Sequence, residues 1–192
     1  MFDNFPSGEY KVLVIDPPWD LGWGKLSSKR GLWRGYGDMP YETLSIEEIK
    51  TLPIHQAMAD DCFVFLWTTQ AKIRDAFDIC DYWNLTYACV ITWHKNHGPN
   101  APNRPCYNSE FVIMAKYGNP TLISVRGMYA CFSAPNRGHS VKPSEFYNMV
   151  SHCTEGPRLD VFSRRLIPGF DVWGDQAPDK TMEGIQHKMW ED

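Results

Sequence analysis

The stretch KVLVIDPPWD, Lys11 to Asp20, is an apolar run that stops at an acid, two consecutive prolines and an indole. Val12, Leu13, Val14 and Ile15 follow one another without polar alternation, the pattern of a strand covered on both faces. Pro17 and Pro18 have no N–H to offer a ladder and hold φ near about −65°, so the strand ends at Asp16, which they keep extended. Further strands are expected at 62–67, 87–93, 110–117, 122–125, 158–163 and 170–174, each rich in β-branched or aromatic residues. Helical patterns lie between them. Ser45 and Glu48 form a capping box. Ile73, Phe77 and Cys80 share one helix face, and Phe146, Met149, Val150 and Cys153 share another behind Pro143. Strands alternating with helices predict an α/β fold, a mostly parallel sheet with helices on both faces, whose ligands gather at the carboxyl ends of the strands. Asp16 stands at one such end.

The length of 192 residues, with 43% hydrophobic content, suits one domain over residues 1–192. No run reaches the about 18 apolar residues of a membrane span, and the N-terminus lacks the pattern of a secretory leader. Six cysteines without a C-x-x-C pair point to reduced thiols and a cytoplasmic protein. Cys89, His94 and His97 lack a second ligand pair, so no metal is expected. The net charge of −4 argues against coating of nucleic acid by bulk electrostatics. Locally the charge is different. Between Leu21 and Gly37, Lys25, Lys29, Arg30 and Arg34 interleave with Trp23, Trp33 and Tyr36, which suits phosphate contact with base stacking but equally a solvated loop. This loop, 20–40, and the Asn/Pro/Gly-rich loop 94–106, which carries Arg104, are expected to be mobile and to contact substrate.

Asp16-Pro17-Pro18-Trp19 concentrates acceptors: a carboxylate, and carbonyls beside prolines that offer no competing N–H. A natural guest is an amino group with two protons, such as N6 of adenine, with Trp19 stacking on a base that has left its helix. An aromatic amine is a weak nucleophile, and an ordinary Asp, of pKa about 3.9, cannot deprotonate it. Holding both hydrogens would aim the nitrogen lone pair at an electrophile, leaving proton loss until after attack. The same four residues also make an ordinary strand exit with Trp19 plugging the core.

The landmarks DPPW (16–19), YETLSIEEIKTLPI (41–54), FVFLWTT (63–69), ITWHK (91–95), NSEFVIMAKYGNP (108–120), HSVKPSEFYNMV (139–150), RLDVFSRR (158–165) and GFDVWGDQ (169–176) together resemble the MT-A70-like family of N6-adenine methyltransferases. The likeness runs from about Lys11 to Gln176. It implies a Rossmann-like class I methyltransferase fold of the permuted, β-type motif order, and S-adenosyl-L-methionine as methyl donor. By motif position, Asp16 and its neighbours Pro17, Pro18 and Trp19 would be catalytic. Asp16, Lys142, Phe162, Arg164, Asp175 and Gln176 would bind the donor, with the choice between Arg164 and Arg165 open. Tyr41, Trp93, Lys95 and Glu110 would face the target base beside the loop cations Lys29, Arg30, Arg34 and Arg104, although Trp93, like Trp67, also reads as core. Asp175 replaces a commoner Asn, which keeps a ribose acceptor and adds charge. Asp3 is a candidate clasp for the donor adenine.

The expected activity is methylation of N6 of adenine in DNA, with nucleic acid as partner, specificity coming from the two loops or a second subunit, and a homodimer or such a heteromer as the expected assembly. Three rivals stand beside it. RNA adenosine methylation shares the chemistry; an inactive nucleic-acid-binding subunit would normally lack Asp16 or Trp19; and amide methylation of proteins usually carries Asn-Pro-Pro.

Overall fold

The computed structural model describes residues 2, 4–21, 42–96, 105–137, 141–175 and 177–178. Seven strands, β1 (Tyr10–Ile15), β2 (Met58–Thr68), β3 (Thr86–His94), β4 (Ser109–Tyr117), β5 (Cys131–Ser133), β6 (Arg158–Val161) and β7 (Asp171–Trp173), form one sheet in the order β5-β3-β4-β2-β1-β6-β7. β1 pairs parallel with β2 and β6, β6 with β7, and β3 with β5. β4 runs antiparallel to both neighbours, β2 and β3. This arrangement decides where the site lies. The carboxyl ends of β1, β2, β3, β6 and β7 share one edge of the sheet, and the start of β4 reaches the same edge from the opposite direction.

The unbroken apolar run of β1 divides between two cores. Leu13 and Ile15 pack on one face with Val64, Leu66, Ile113, Ala115, Leu159 and Val161. Val12 and Val14 pack on the other with Phe63, Phe65, Trp67, Val112 and Met114. All four β1 residues are fully buried, each contributing about 1.5–3 kcal/mol of apolar burial. The first face is covered by helices α1 (Ile46–Lys50) and α2 (Ile73–Tyr82), the second by α3 (Ser144–Cys153). The predicted capping box opens α1: Glu48 N–H donates to Ser45 Oγ at 3.2 Å, and Ser45 N–H donates to Glu48 Oε2 at 2.7 Å. Phe146, Met149, Val150 and Cys153 form the buried face of α3, as their spacing requires. In α2 the buried residues are Ala76, Ile79 and Cys80, while Phe77 sits at the margin against Tyr87.

One expected strand is not formed. Residues 122–125 lie outside the sheet with Ile123 and Val125 exposed, and Ile123 N–H bonds to Cys153 O at the end of α3 instead of to a ladder. The place beside β3 is taken by β5, which no apolar run announces. Among the described residues, no helix is long and apolar enough to cross a membrane.

Candidate active site

At the end of β1, Asp16 N–H bonds to Val161 O at 3.3 Å, so the sheet ladder still holds the backbone of the first corner residue. The prolines then turn the chain. The carbonyls they present are already used in part: Pro17 O accepts from Trp19 N–H at 2.8 Å and Pro18 O from Leu44 N–H at 2.9 Å. The expectation of carbonyls without competing donors is therefore corrected, since donors arrive from Trp19 and Leu44 and leave one lone pair on each oxygen.

Trp19 takes the plug role. It is 6% exposed, packs in the core on the α1/α2 side, and donates its Nε1–H to Trp67 O at 3.1 Å. A ring held in this way is not available to stack on a base. Trp93 is likewise core and not a base contact, at 1% exposure with Nε1–H on Ala134 O at 2.9 Å.

The charged groups meet at the same edge. Lys142, just before α3, places Nζ 3.1 Å from Asp16 Oδ1 and 3.0 Å from Glu110 Oε2, with the ring of Trp67 4.8 Å below. Glu110, at the start of β4, gives its other oxygen to Lys95, which follows β3 and lies 4.6 Å over Trp93. An alternating row Asp16–Lys142–Glu110–Lys95 thus crosses from β1 to β3, resting on two tryptophans packed edge to face at 6.1 Å. Burial raises the Asp16 carboxyl, with Lys142 and Arg164 opposing and Glu110 adding to the rise. Burial alone would raise Glu110 too, but Lys142 and Lys95 outweigh it and hold that carboxyl below the ordinary glutamate value. For Lys142 burial disfavours the charge, yet Asp16 and Glu110 win and keep it a firm cation.

Beneath this row, Tyr147 O–H donates to Asp160 Oδ2 at 3.0 Å, and Arg165 donates to Lys142 O at 2.7 Å with its guanidinium over the Tyr147 ring. Burial raises the Asp160 carboxyl to about 7. Beyond β6 and β7, Phe162 has φ +68° and donates its N–H to Trp173 O, while Gly174 has φ +150°. A Cβ on Gly174 would lie 2.8 Å from Phe162 Cα, so the two chain segments touch backbone to backbone.

A family model described as MT-A70 matches residues 10–176. The chain belongs to the MT-A70 family of methyltransferases. It is 30% identical over 202 residues to the Type II methyltransferase M.MunI of a Mycoplasma species, a match covering 95% of this chain and 84% of that one. It is 26% identical to the N(6)-adenosine-methyltransferase MT-A70-like protein of Drosophila melanogaster and to the N(6)-adenosine-methyltransferase catalytic subunit METTL3 of Homo sapiens. Each of these matches covers 88% of this chain but only 27% and 28% of the relatives.

Asp16, Lys95, Glu110, Phe162 and Asp175 follow or begin strands at the carboxyl edge of the sheet, and Lys142 reaches Asp16 and Glu110 from just before α3. Asp16, Lys142, Glu110 and Lys95 touch in succession, each only its neighbour in that row; Phe162 packs on Trp173; Asp175 is exposed just past β7. The two arginines point in different directions. Arg165 turns inward to Lys142 O and Tyr147, while Arg164 is exposed on the Asp16 side, close enough to lower that carboxyl. Lys25, Lys29, Arg30, Arg34, Tyr41, Arg104, Gln176 and Asp3 lie outside the described residues. Reasoning from sequence missed Trp67 as a participant: it is fully buried, as core status predicts, yet its ring face carries Lys142. Its Nε1–H and the Thr69 hydroxyl are the two buried side-chain polar atoms without a protein partner among the described residues. The set of Asp16, Lys142, Arg164 and Asp175 fits a donor that carries a cationic centre, an amino-acid carboxylate and ribose hydroxyls, since each has a complementary charge or acceptor at this edge.

Proposed function

We propose that the protein transfers a methyl group from S-adenosyl-L-methionine to N6 of adenine in DNA. The observation that carries this reading is the Asp16 corner: a carboxylate at the end of a central parallel strand, aligned by Lys142 and flanked by Pro17 and Pro18 carbonyls that each retain a lone pair. When bound, the donor supplies an electrophilic methyl on a sulfonium. Asp16 and Pro17 O would each accept one hydrogen of the exocyclic amine, which turns the nitrogen lone pair away from the ring and toward that carbon. Lys142 keeps Asp16 an acceptor against its burial. The amine proton leaves after the new N–C bond has made the nitrogen acidic. Positioning of this kind supplies about 7–11 kcal/mol.

DNA is chosen because the Type II methyltransferase is matched over most of both chains, whereas the N(6)-adenosine enzymes share only 27% and 28% of their length. Target selection falls to loops 20–40 and 94–106, with Lys29, Arg30 and Arg34 on phosphates, or to a second subunit. The test is to incubate the protein with labelled S-adenosyl-L-methionine and single-stranded DNA, duplex DNA or RNA, and to analyse the nucleosides. N6-methyldeoxyadenosine formed by the wild type and lost in D16A is expected. Product confined to RNA, or undiminished in D16A, would overturn the assignment.

A further inference from the structure

Lys95 was expected to meet the substrate, but its ammonium is spent inside the protein. It pairs with Glu110, lies over Trp93 and is only 13% exposed at the side chain, while its N–H closes the neck of loop 94–106 on Asn108 O at 2.7 Å. Glu110 in turn is 19% exposed and has no oxygen to spare, one facing Lys95 and the other Lys142. Lys142 divides itself between Glu110 and Asp16 at nearly equal distances, 3.0 and 3.1 Å. Two carboxylates competing for one ammonium make its position depend on what else neutralises each of them, and Lys95 touches only Glu110. Removing Lys95 therefore leaves Glu110 with a single cation, which it draws away from Asp16.

We propose that Lys95 is a positioning residue of the methyl-transfer site: acting through Glu110, it sets how closely Lys142 is held to Asp16. This rests on the reading of Asp16 as the catalytic carboxylate. It assigns the end of β3 to catalysis, not to phosphate contact, and couples the neck of loop 94–106 to the reacting corner. The charged or titratable groups acting on Asp16 are Lys142 from the α3 entry, Glu110 from β4, Arg164 after β6, and Asp160 and Tyr147 from the layer below. Only Glu110 among them touches Lys95.

The test uses K95M, K95R, E110Q and the K95M/E110Q double variant in the full chain, each first checked for a wild-type melting profile. The Asp16 carboxyl is titrated by carbon-detected NMR, and turnover and binding are measured on the best nucleic-acid substrate. In K95M the Asp16 titration moves to higher pH, because Lys142 shifts toward Glu110. In E110Q it moves to lower pH, because Lys142 is left to Asp16 and a neighbouring negative charge is gone. A direct charge effect of Lys95 on Asp16 would raise the titration equally in an E110Q background, whereas coupling through Glu110 abolishes the K95M shift in the K95M/E110Q double variant; a shift that persists there overturns the proposal. Turnover in K95M falls roughly tenfold or more, as for other small misplacements of a reacting group, while nucleic-acid affinity and its salt slope stay at wild-type values. K95R restores most of the rate. If K95M leaves the Asp16 titration in place, or loses affinity and a unit of salt slope at unchanged turnover, Lys95 is a phosphate contact or a bystander and the proposal fails. Should the wild type methylate no nucleic acid, the proposed function falls, while the Asp16 titration still decides the coupling.

Discussion

Lys142 Nζ stands 3.1 Å from Asp16 Oδ1 at a point where the Asp16 side chain is 26% exposed and the lysine 12%. The pair therefore sits where water screens it only in part; burial raises the carboxyl, and the lysine is the chief group opposing that rise. In K142M, burial and Glu110 both push Asp16 upward with one opposing cation removed, so a higher pH is needed to ionise it. The acid limb of kcat/KM is expected to move to higher pH, and turnover near neutrality to fall about a hundredfold. K142R should keep the limb near its wild-type place. A pH–rate profile at saturating donor checks both.

The Trp19 indole is bonded to Trp67 O inside the core. W19F leaves that carbonyl buried without its partner, at a cost of about 1–3 kcal/mol in urea unfolding, with nucleic-acid affinity unchanged. A base-stacking tryptophan would give the reverse: lost affinity at full stability.

Asp160 is 2% exposed and its carboxyl is raised from 3.8 to about 7, so between about pH 4 and pH 7 the folded chain binds a proton that the unfolded chain has lost. A raised pKa of this kind contributes stability that is fully present below the lower value and is lost as pH rises through the upper one. D160N removes the titration and should flatten this dependence, gaining on the order of a few kcal/mol over the wild type at pH 8. Denaturant midpoints at pH 5 and pH 8 measure it.

Gly174 combines φ +150° with backbone contact to Phe162. G174A should strain the segment by about 1–3 kcal/mol and push Phe162 out of line. Donor affinity by calorimetry is expected to fall more than the melting temperature does.

Arg164 and Arg165 should separate cleanly. R165A loses the bond to Lys142 O and the cover over Tyr147, costing about 1–2 kcal/mol of stability. R164A, at an exposed position that acts on Asp16 by charge, should weaken donor binding more than R165A does.

Much of this fold is legible along the chain because its causes are local. A proline cannot donate to a ladder, four apolar residues in a row need cover on both faces, and Ser45 with Glu48 caps a helix within one turn; each acts over a few residues, and each is formed as read. The strand expected at 122–125 fails for the complementary reason. Leu-Ile-Ser-Val has strand propensity, but propensity does not say where an edge is open, and the short Cys131–Ser133 segment reaches it instead. The tryptophans divide likewise. The sequence shows an indole after the prolines; only packing shows that Trp67 O lies within its reach.

By itself the sequence determined the proline corner, the alternation of strands and helices, and the motif set that marks the family. Tertiary structure alone decided which charges meet. Lys95, Glu110, Lys142 and Asp16 come from four separate segments, and they touch because β4 runs against its neighbours and so brings its first residues to the edge where the other strands end. Coulomb attraction pairs them only once the apolar faces have set the strand order, and that order is a property of the whole core that no short stretch encodes.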